Sequence, residues 1–350
     1  MGAGSRPRRG SSSSLSTRQQ QQIVVSLLFV SCLVGFYLLR TVGRNPESPE
    51  TTEAVKALLD GVGDGTTSEN FSVDEKVHHL GAVIFNRVFP EDLFNITAYE
   101  CKQWIEYMLF AGVQHIYWYD TAHSDGESQQ AYLQEYVKKG LLTYHRFHHL
   151  YPGNVNAGYH FEQDHSYEHF LENYGGAMTW VVEMDVDEYP FMVSDSNKLF
   201  LRRYVEYLAE VRPDVSQSLM PCMIFGGNPI GDLENGWVIE RYQRRIRVTE
   251  GEAGSTPRTK PIFQPKKVSG VGFNDPHRFP MKGGETVVEV AAKLRMNHYW
   301  GPRLSNFEPD TAFVLAQLVP DATAQPIATA LKASTGLTDK RACLRNRHPS

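Results

Sequence analysis

The stretch that decides the fold runs from Trp180 to Phe191 and reads WVVEMDVDEYPF. It begins with an apolar run of strand character and then sets three carboxylates within four positions, with no turn residue between. Asp185 and Asp187 are two residues apart, so an extended chain would place them on one face and turn Val186 and Glu188 back toward the fold. The proline and aromatic residues that follow indicate a chain reversal. The sequence therefore predicts a buried strand that ends in acid.

Two carboxylates on one side of a strand end suit a hard divalent cation. Mg²⁺ or Mn²⁺ takes oxygen ligands from one or two carboxylates and fills its other positions with substrate phosphate and water. We therefore expect Asp185 and Asp187 to bind such a cation beside a phosphate-bearing substrate. The alternative is that the acids only solvate the strand end, which is the commoner meaning of an isolated Asp-x-Asp.

The segments around this strand alternate between strand and helix patterns. The predicted strands cover residues 81–85, 114–120, 141–145, 180–184 and 220–225, and the predicted helices cover 98–110, 132–139, 161–174 and 199–211. This alternation is typical of an α/β fold with a mainly parallel sheet flanked by helices. Such sheets bind ligands at the carboxyl ends of their strands, where Asn86, Asp120 and Asp185 fall.

Length and composition limit the classes of function. The 350 residues carry a net charge of −5 and are 41% hydrophobic, which is enough for a large domain with a core of its own. The acidic balance argues against a nucleic-acid partner, because binding to a phosphate backbone needs clustered Lys and Arg. It leaves room for a small phosphate-bearing substrate.

Residues 1–39 predict a membrane anchor. Residues 1–22 are rich in Ser and Gln and are expected to form a disordered cytosolic tail. Ile23–Leu39 has no charged residue and would span about 25 Å as a helix, the short end for a transmembrane segment. Arginines precede it without acids, so the positive-inside rule puts the C-terminal bulk in the lumen. A cleaved signal peptide is the alternative, although no small-x-small cleavage site follows Leu39.

The luminal part divides into three segments. Residues 40–77 are rich in Pro, Glu, Thr, Gly and Ser and are predicted to be a stem. Residues 78–320 form the predicted catalytic domain, and residues 321–350 are a tail without a clear role, predicted to be disordered. In the lumen, Asn70 and Asn95 would be glycosylation sequons. Of Cys101, Cys222 and Cys343, an oxidising compartment is compatible with a bridge between Cys101 and Cys222, and the odd count leaves one thiol over.

Several short segments, taken in order, resemble the pattern of glycosyltransferase family 92. They are Trp104–Tyr107, Gly112–Tyr117, Tyr119–Asp120, Trp180–Tyr189, Phe225–Gly227, Glu240–Tyr242, Lys260–Ile262, His277 and Asn297–Tyr299. The resemblance covers about residues 80 to 305. In the loop after the first strand the family usually has Arg-Asn-Glu or Lys-Asn-Glu, whereas this chain has Asn86-Arg87-Val88.

The resemblance implies a GT-A-like, Rossmann-like enzyme, anchored as a type II Golgi membrane protein, that moves galactose from UDP-galactose to a glycan with inversion. It implies that Asp185 and Asp187 lie beside the diphosphate and its Mn²⁺, with Asp187 the more direct ligand. His298 stands where such enzymes place a late-chain metal ligand, and Asp120 where they contact the nucleoside. Asn86 and Arg87 are the expected uridine contacts.

An inverting displacement also needs a carboxylate base outside the metal pair. Glu240 is the first candidate because it falls in the matched Glu-Arg-Tyr segment, and Asp232 is the second. Lys260 is a candidate to neutralise donor phosphate. Two alternatives stand beside this prediction. One is a catalytically inactive transferase fold that serves as a sugar-binding or scaffold protein, and the other is a haloacid-dehalogenase-type phosphatase, which needs a Thr shortly after the acids.

Overall fold

The computed structural model describes residues 78–86, 94, 96–122, 127–146, 159–247, 258–271, 277–306 and 311–345, with side chains omitted at 159–162, 305–306 and 311. The predicted cytosolic tail, the Ile23–Leu39 anchor, the stem, the two sequon asparagines and Arg87 lie outside these residues. Within the described ranges, no helix combines the length and the apolar character needed to cross a membrane.

Strands are labelled in chain order. They are β1 (His78–Asn86), β2 (His115–Asp120), β3 (Leu142–Arg146), β4 (Met178–Glu183), β5 (Glu188–Met192), β6 (Val215–Gly226), β7 (Arg244–Ile246), β8 (Thr259–Phe263), β9 (Glu285–Val288), β10 (Leu294–Gly301) and β11 (Leu318–Pro320). Helices are α1 (Ala98–Ala111), α2 (Gln130–Lys138), α3 (Tyr159–Asn173), α4 (Phe200–Val211), α5 (Val238–Arg241), α6 (Thr311–Ala316), α7 (Gln325–Thr335) and α8 (Lys340–Arg345). Short 3₁₀ turns occur at Gly175–Ala177, Pro265–Lys267 and Pro302–Asn306.

The strands form a mixed sheet in the order β11-β7-β6-β8-β4-β1-β2-β3, with β9 and β10 also paired to β6 and β5 paired to β10. Strands β1 to β4 run parallel, whereas β8 is antiparallel to both β4 and β6. The α/β class and the flanking helices are confirmed, but the prediction of a mainly parallel sheet is wrong. Strand β8 is a return strand from a distant part of the chain, and local hydrophobic patterns do not encode strand direction.

Strand β6 accounts for the curl of the sheet. It is 12 residues long and buried throughout. Its first half pairs with β8 and β9, and its second half pairs with β10 and β7. The two halves of β6 thus have different neighbouring strands. Pairing with the second half places β10 near the end of β4.

Helices cover the two faces of the strands that lead to this edge. Along β2, alternate side chains point to opposite faces. Tyr117 packs on Phe170 of α3, with ring centres 5.1 Å apart, whereas Trp118 packs on Trp104 of α1 at 6.1 Å. Both tryptophans are fully buried. Burial on both faces explains why β2 has no polar face before it ends at Asp120.

Helix α1 has well-defined ends. Thr97 and Glu100 form a capping box at its start, in which the Glu100 carboxylate accepts the Thr97 backbone N–H at 3.0 Å. Gly112 ends the helix with a φ of +108°, a left-handed conformation that glycine adopts without steric cost. The helix contacts α2, α4, β5, α7 and α8. It is therefore the element that ties the C-terminal segment to the strand after the acids.

Residues 321–345 contain helices α7 and α8, in contrast to the disordered tail expected from composition. Helices α7 and α8 pack on α1, and the backbone oxygen of Leu337 between them accepts the indole N–H of Trp237 at 2.9 Å. Lys340 pairs with the buried Glu100 at 2.9 Å. The Ala- and Thr-rich composition predicted helix only weakly. The helix is stabilised by tertiary packing, in which Ile327 and Leu331 are buried.

Candidate active site

The acidic segment is a tight turn between two strands. Strand β4 ends at Glu183 and β5 begins at Glu188, and the Glu188 N–H donates to the Asp185 carbonyl at 3.0 Å. The Asp185 N–H donates in return to the Glu188 carboxylate at 2.9 Å. The expectation of an extended chain with both aspartates on one face is therefore wrong, because the chain turns between Asp185 and Glu188 instead of continuing as a strand. Glu188 joins the same network as the aspartates.

Helix α1 fixes the strand that follows the turn. The Trp104 indole donates to the backbone oxygen of Glu188 at 2.8 Å, and the Tyr107 hydroxyl donates to that of Pro190 at 2.6 Å. Both side chains are buried, so each bond stands in a site without competing water. The acid turn is thus held from the helix side by two long-range hydrogen bonds.

Lys260 lies at the centre of the carboxylates. Its Nζ is 2.7 Å from Glu183 Oε1, 3.1 Å from Asp185 Oδ2 and 3.1 Å from Glu188 Oε2. Strand β8 brings it there, because Ile262 pairs with Val182 of β4. Lys260 lies two residues before Ile262 in β8 and faces the turn. The lysine is 1% exposed. Its ammonium is therefore committed to the three carboxylates.

The charge balance of this cluster shifts its pKa values. Burial acts to lower the pKa of Lys260, but Asp185, Glu183 and Glu188 outweigh it and raise the pKa well above its ordinary value. Burial raises the pKa of Glu183 to about 7 and that of Glu188 to about 8, against the opposing effect of Lys260. One ammonium thus balances only part of the negative charge of three carboxylates, of which Glu183 and Glu188 are buried and Asp185 is partly exposed.

Asp187 sits on the other side of the turn and faces two late-chain residues. Arg303 Nη1 donates to its Oδ2 at 2.7 Å, and His298 Nε2 lies 3.5 Å from the same oxygen. The other ring nitrogen of His298, Nδ1, is 3.8 Å from Glu188 Oε1. This arrangement follows from strand pairing, since His298 of β10 lies directly across from Glu188 of β5. The three predicted metal ligands are thus joined through Glu188.

The ionised form of Asp187 is strongly favoured. Burial acts to raise its pKa, but His298 and then Arg303 outweigh that effect and hold the pKa well below the ordinary value of an aspartate. Asp187 is therefore a carboxylate under all ordinary conditions, which is the form that a metal ligand requires.

The donor set suits a cation that shares its ligands with a substrate. The Asp185 Oδ1 atom is buried and has no hydrogen-bond partner among the described residues, so one carboxylate oxygen is open to a ligand. In the same part of the chain, no group of three or more His, Cys, Asp or Glu is arranged to hold a metal ion. The open Asp185 oxygen and the ionised Asp187 are compatible with a cation that takes one or two carboxylates and completes its shell with phosphate and water.

Asn86 and Asp120 lie opposite each other where β1 and β2 end. Asp120 is 1% exposed, and its carboxylate accepts hydrogen bonds from Ser128, Tyr144 and the backbone of Ala122. Asn86 is also buried, and its amide nitrogen has no hydrogen-bond partner within the described ranges. Asn86 therefore offers an unused donor at this edge, whereas Asp120 is fully engaged by the protein.

The two candidate bases do not contact the acid turn. The Glu240 carboxylate accepts the Trp237 N–H at 2.9 Å as the cap of α5, and it pairs with Lys332 at 3.0 Å. Asp232 is an exposed loop residue that accepts the N–H groups of Glu234 and Asn235. These backbone hydrogen bonds lower the pKa of Asp232, which weakens it as a base. The base role of either residue stays a prediction.

Three residues of this network were not among the predicted site residues. Glu183 and Glu188 flank the aspartates, and both gave the signal of an acid inside or beside an apolar strand. Arg303 follows the matched segment Asn297–Tyr299 and gave no local signal. The expected Cys101–Cys222 bridge is not formed, and no disulfide joins the cysteines in the described part of the chain. Cys222 Sγ lies 3.9 Å from His298 Nδ1.

Comparison with known protein families decides what this arrangement belongs to. Residues 94–332 match glycosyltransferase family 92, which is more than half of the 350-residue chain. The chain belongs to glycosyltransferase family 92. The match includes the acid turn, Lys260 and His298, and membership in the family makes the chain a glycosyltransferase with a donor sugar and an acceptor. A comparison with curated proteins found no match.

Proposed function

We propose that this family 92 member is a metal-dependent inverting glycosyltransferase that moves galactose from UDP-galactose to a glycan acceptor. The observation that carries the proposal is the network in which Asp185, Asp187 and His298 are joined through Glu188 at the end of β4. The orphaned Asp185 oxygen supports the metal, since buried polar atoms without partners are rare.

Each residue of the network has a role in this proposal. Asp185, Asp187 and His298 are not grouped as a metal site among the described residues, so in this proposal they would come together around Mn²⁺ or Mg²⁺ when the donor enters. The bound cation would offset the charge that develops on the diphosphate leaving group. Lys260 keeps the Asp185 carboxylate oriented and partly neutralised, because its ammonium is fixed by three carboxylates. Its effect on the donor phosphate is indirect, because Lys260 contacts the acids.

The nucleoside is proposed to bind where β1 and β2 end. Asn86 contributes the amide donor that lacks a partner in the protein, and Asp120 organises the adjacent loop through Ser128 and Tyr144. Arg87, which follows Asn86, is the proposed additional uridine contact. Glu240 remains the proposed base that takes the proton from the acceptor hydroxyl, with Asp232 as the second candidate.

The proposed location is the Golgi membrane, with Ile23–Leu39 as a type II anchor and the catalytic domain in the lumen. The charge asymmetry around that apolar segment supports the orientation. Attachment of an epitope to either end, followed by protease protection in sealed vesicles, tests it. A protected N-terminus would overturn the orientation.

The activity is tested with the purified full chain and a panel of UDP-sugars, each with Mn²⁺ and with a chelator. We expect Mn²⁺-dependent turnover that is highest with UDP-galactose. The double variant Asp185→Asn, Asp187→Asn should lose at least about 100-fold in rate, since it removes both carboxylate ligands. The control is Asp195→Asn, which removes a buried aspartate paired with Arg203 away from the acid turn and should retain turnover.

Other outcomes point to the two alternatives. Binding of UDP with Mn²⁺ but no turnover of any UDP-sugar would identify an inactive, sugar-binding transferase fold. Release of phosphate from a phosphomonoester would identify a phosphatase. The segment after the acids, Glu188-Tyr189-Pro190, lacks the Thr that the phosphatase needs, which is why we rank that alternative last.

A further inference from the structure

The acid turn is held by two cations that differ in their freedom to move. Lys260 is 1% exposed and is surrounded by Glu183, Asp185 and Glu188. The Arg303 side chain is 25% exposed, against 10% for the Asp187 side chain that it contacts. Arg303 is therefore the more accessible of the two cations, and Lys260 is the fixed one.

Arg303 occupies the same carboxylate oxygen that a metal would need. Its Nη1 donates to Asp187 Oδ2 at 2.7 Å, and His298 Nε2 faces that oxygen from 3.5 Å. A divalent cation placed on Oδ2 would meet the guanidinium at close range, where like charges repel strongly in a partly buried site. Binding of both to this oxygen would bring two cations together, so the arginine opposes binding of a metal there.

We propose that Arg303 closes Asp187 to a bare divalent cation and transfers its guanidinium to the donor diphosphate when the cation enters together with the nucleotide. This inference rests on the proposed function and adds the residue that couples the two binding events. In this proposal the diphosphate, and not the free metal, draws Arg303 away from Asp187.

The chemistry of the guanidinium supports the transfer. Its planar fork matches the oxygens of a phosphate as well as those of a carboxylate, so Arg303 exchanges one anionic partner for another. The diphosphate also brings the negative charge that offsets the incoming metal. The guanidinium lies 5.5 Å from the centre of the Phe94 ring, a cation–π contact that holds the side chain beside the site.

Backbone geometry supports the placement of Arg303. It stands two residues after Gly301, which has a φ of +57° and packs against Phe94 and Tyr242 so closely that a side chain would not fit. This glycine turns the chain from β10 into the Pro302–Asn306 turn. Arg303 thus reaches Asp187 from a fixed backbone, and only its side chain needs to move.

The test is calorimetric titration of the full chain with Mn²⁺ alone, and with UDP in the presence of Mn²⁺. For Arg303→Gln we expect Mn²⁺ alone to bind about 10-fold tighter and UDP with Mn²⁺ to bind about 10-fold weaker than in wild type. Opposite changes are the signature, because damage to the fold would weaken both. Thermal unfolding of each variant checks that it is folded.

The matched control is Arg203→Gln. Arg203 pairs with Asp195 at 2.5 Å, with side-chain exposures of 24% and 8% that nearly equal those of the Arg303–Asp187 pair. Both affinities of this control should stay within about twofold of wild type. A second variant, Arg303→Lys, keeps the charge but loses the fork, so it should bind Mn²⁺ as wild type does and UDP more weakly.

Two results would overturn the inference: an unchanged Mn²⁺ affinity in Arg303→Gln, or a joint fall of both affinities. Failure of the proposed function gives a different pattern. If wild type turns over no UDP-sugar while Arg303→Gln still shows the opposite changes, the coupling stands and the transferase proposal fails.

Discussion

Lys260 and Glu183 form an ion pair in the interior of the protein, with 2.7 Å between Nζ and Oε1 and side-chain exposures of 1% and 0%. They are 77 residues apart in the chain and meet because β8 returns antiparallel to β4. The Tyr167 hydroxyl donates to the same carboxylate oxygen at 2.6 Å. The pair therefore links the sheet, helix α3 and the acid turn.

Removal of the lysine should destabilise the fold strongly. In Lys260→Met the buried Glu183 and Glu188 and the partly exposed Asp185 lose their common cation. Breaking a buried ion pair typically costs about 3–5 kcal/mol. We expect a loss of this size in the free energy of unfolding from denaturant titration. Lys266→Met, at an exposed position six residues later, is the control and should stay within about 0.5 kcal/mol of wild type. Equal stability of the two variants would contradict the central role of Lys260.

The half-buried His145 should make stability fall in mild acid. Burial, and then the neighbouring His169, lower the pKa of His145 from 6.5 to about 4. Between these two values the unfolded chain binds a proton that the folded protein excludes, so stability falls as pH drops from about 6.5 to about 4. After allowance for solvent screening, we expect about 1 kcal/mol of loss between pH 7 and pH 5 from this group.

Substitution isolates the contribution of His145. The ring stacks on Tyr119 at 4.9 Å and meets His169 at 5.2 Å, and its Nε2 has no hydrogen-bond partner in the part of the chain that the structure describes. In His145→Gln the decline of the melting temperature between pH 7 and pH 5 should be shallower than in wild type. The partly exposed His165, paired with Glu168, is the control position. An identical slope in wild type and His145→Gln would refute the assignment.

A methyl group at Gly301 should cost more than one at Gly336. Both residues have a positive φ, +57° and +65°, but a Cβ at Gly301 would lie 2.7 Å from the Phe94 ring, whereas none lies within 4 Å at Gly336. We expect Gly301→Ala to lose about 3 kcal/mol and Gly336→Ala about 1 kcal/mol in unfolding free energy. Similar losses would mean that Phe94 yields to the added atom.

The Glu240→Gln variant distinguishes a structural role of Glu240 as a helix cap from a catalytic role as the base. Glu240 caps α5 and pairs with Lys332, so Glu240→Gln and Lys332→Met should both lower the melting temperature. A base role predicts in addition that Glu240→Gln alone loses at least about 100-fold in turnover with UDP binding intact. Wild-type turnover in Glu240→Gln would remove it from this role and leave Asp232 as the residue to test.

Local sequence patterns predicted most of the elements that build the site. Strand β2, helix α1 and the acid-tipped strand β4 appear within a few residues of their predicted ends, because apolar spacing and the cap at Gly112 are local signals. The ordered motifs were sufficient for the family, which the match over residues 94–332 confirms. The sequence by itself thus determined the α/β class and the cluster of acids at the end of β4.

Only the tertiary structure decided which cations meet those acids. Lys260 and Arg303 reach Asp185 and Asp187 through strand pairings across 75 and 116 residues, and such pairings leave no trace in local periodicity. The turn also gave Asp185 and Asp187 different partners, where an extended strand would have given them a common face. Strand direction and long-range contacts depend on how distant segments bury each other, and this selects Lys260 as the fixed cation and Arg303 as the accessible one.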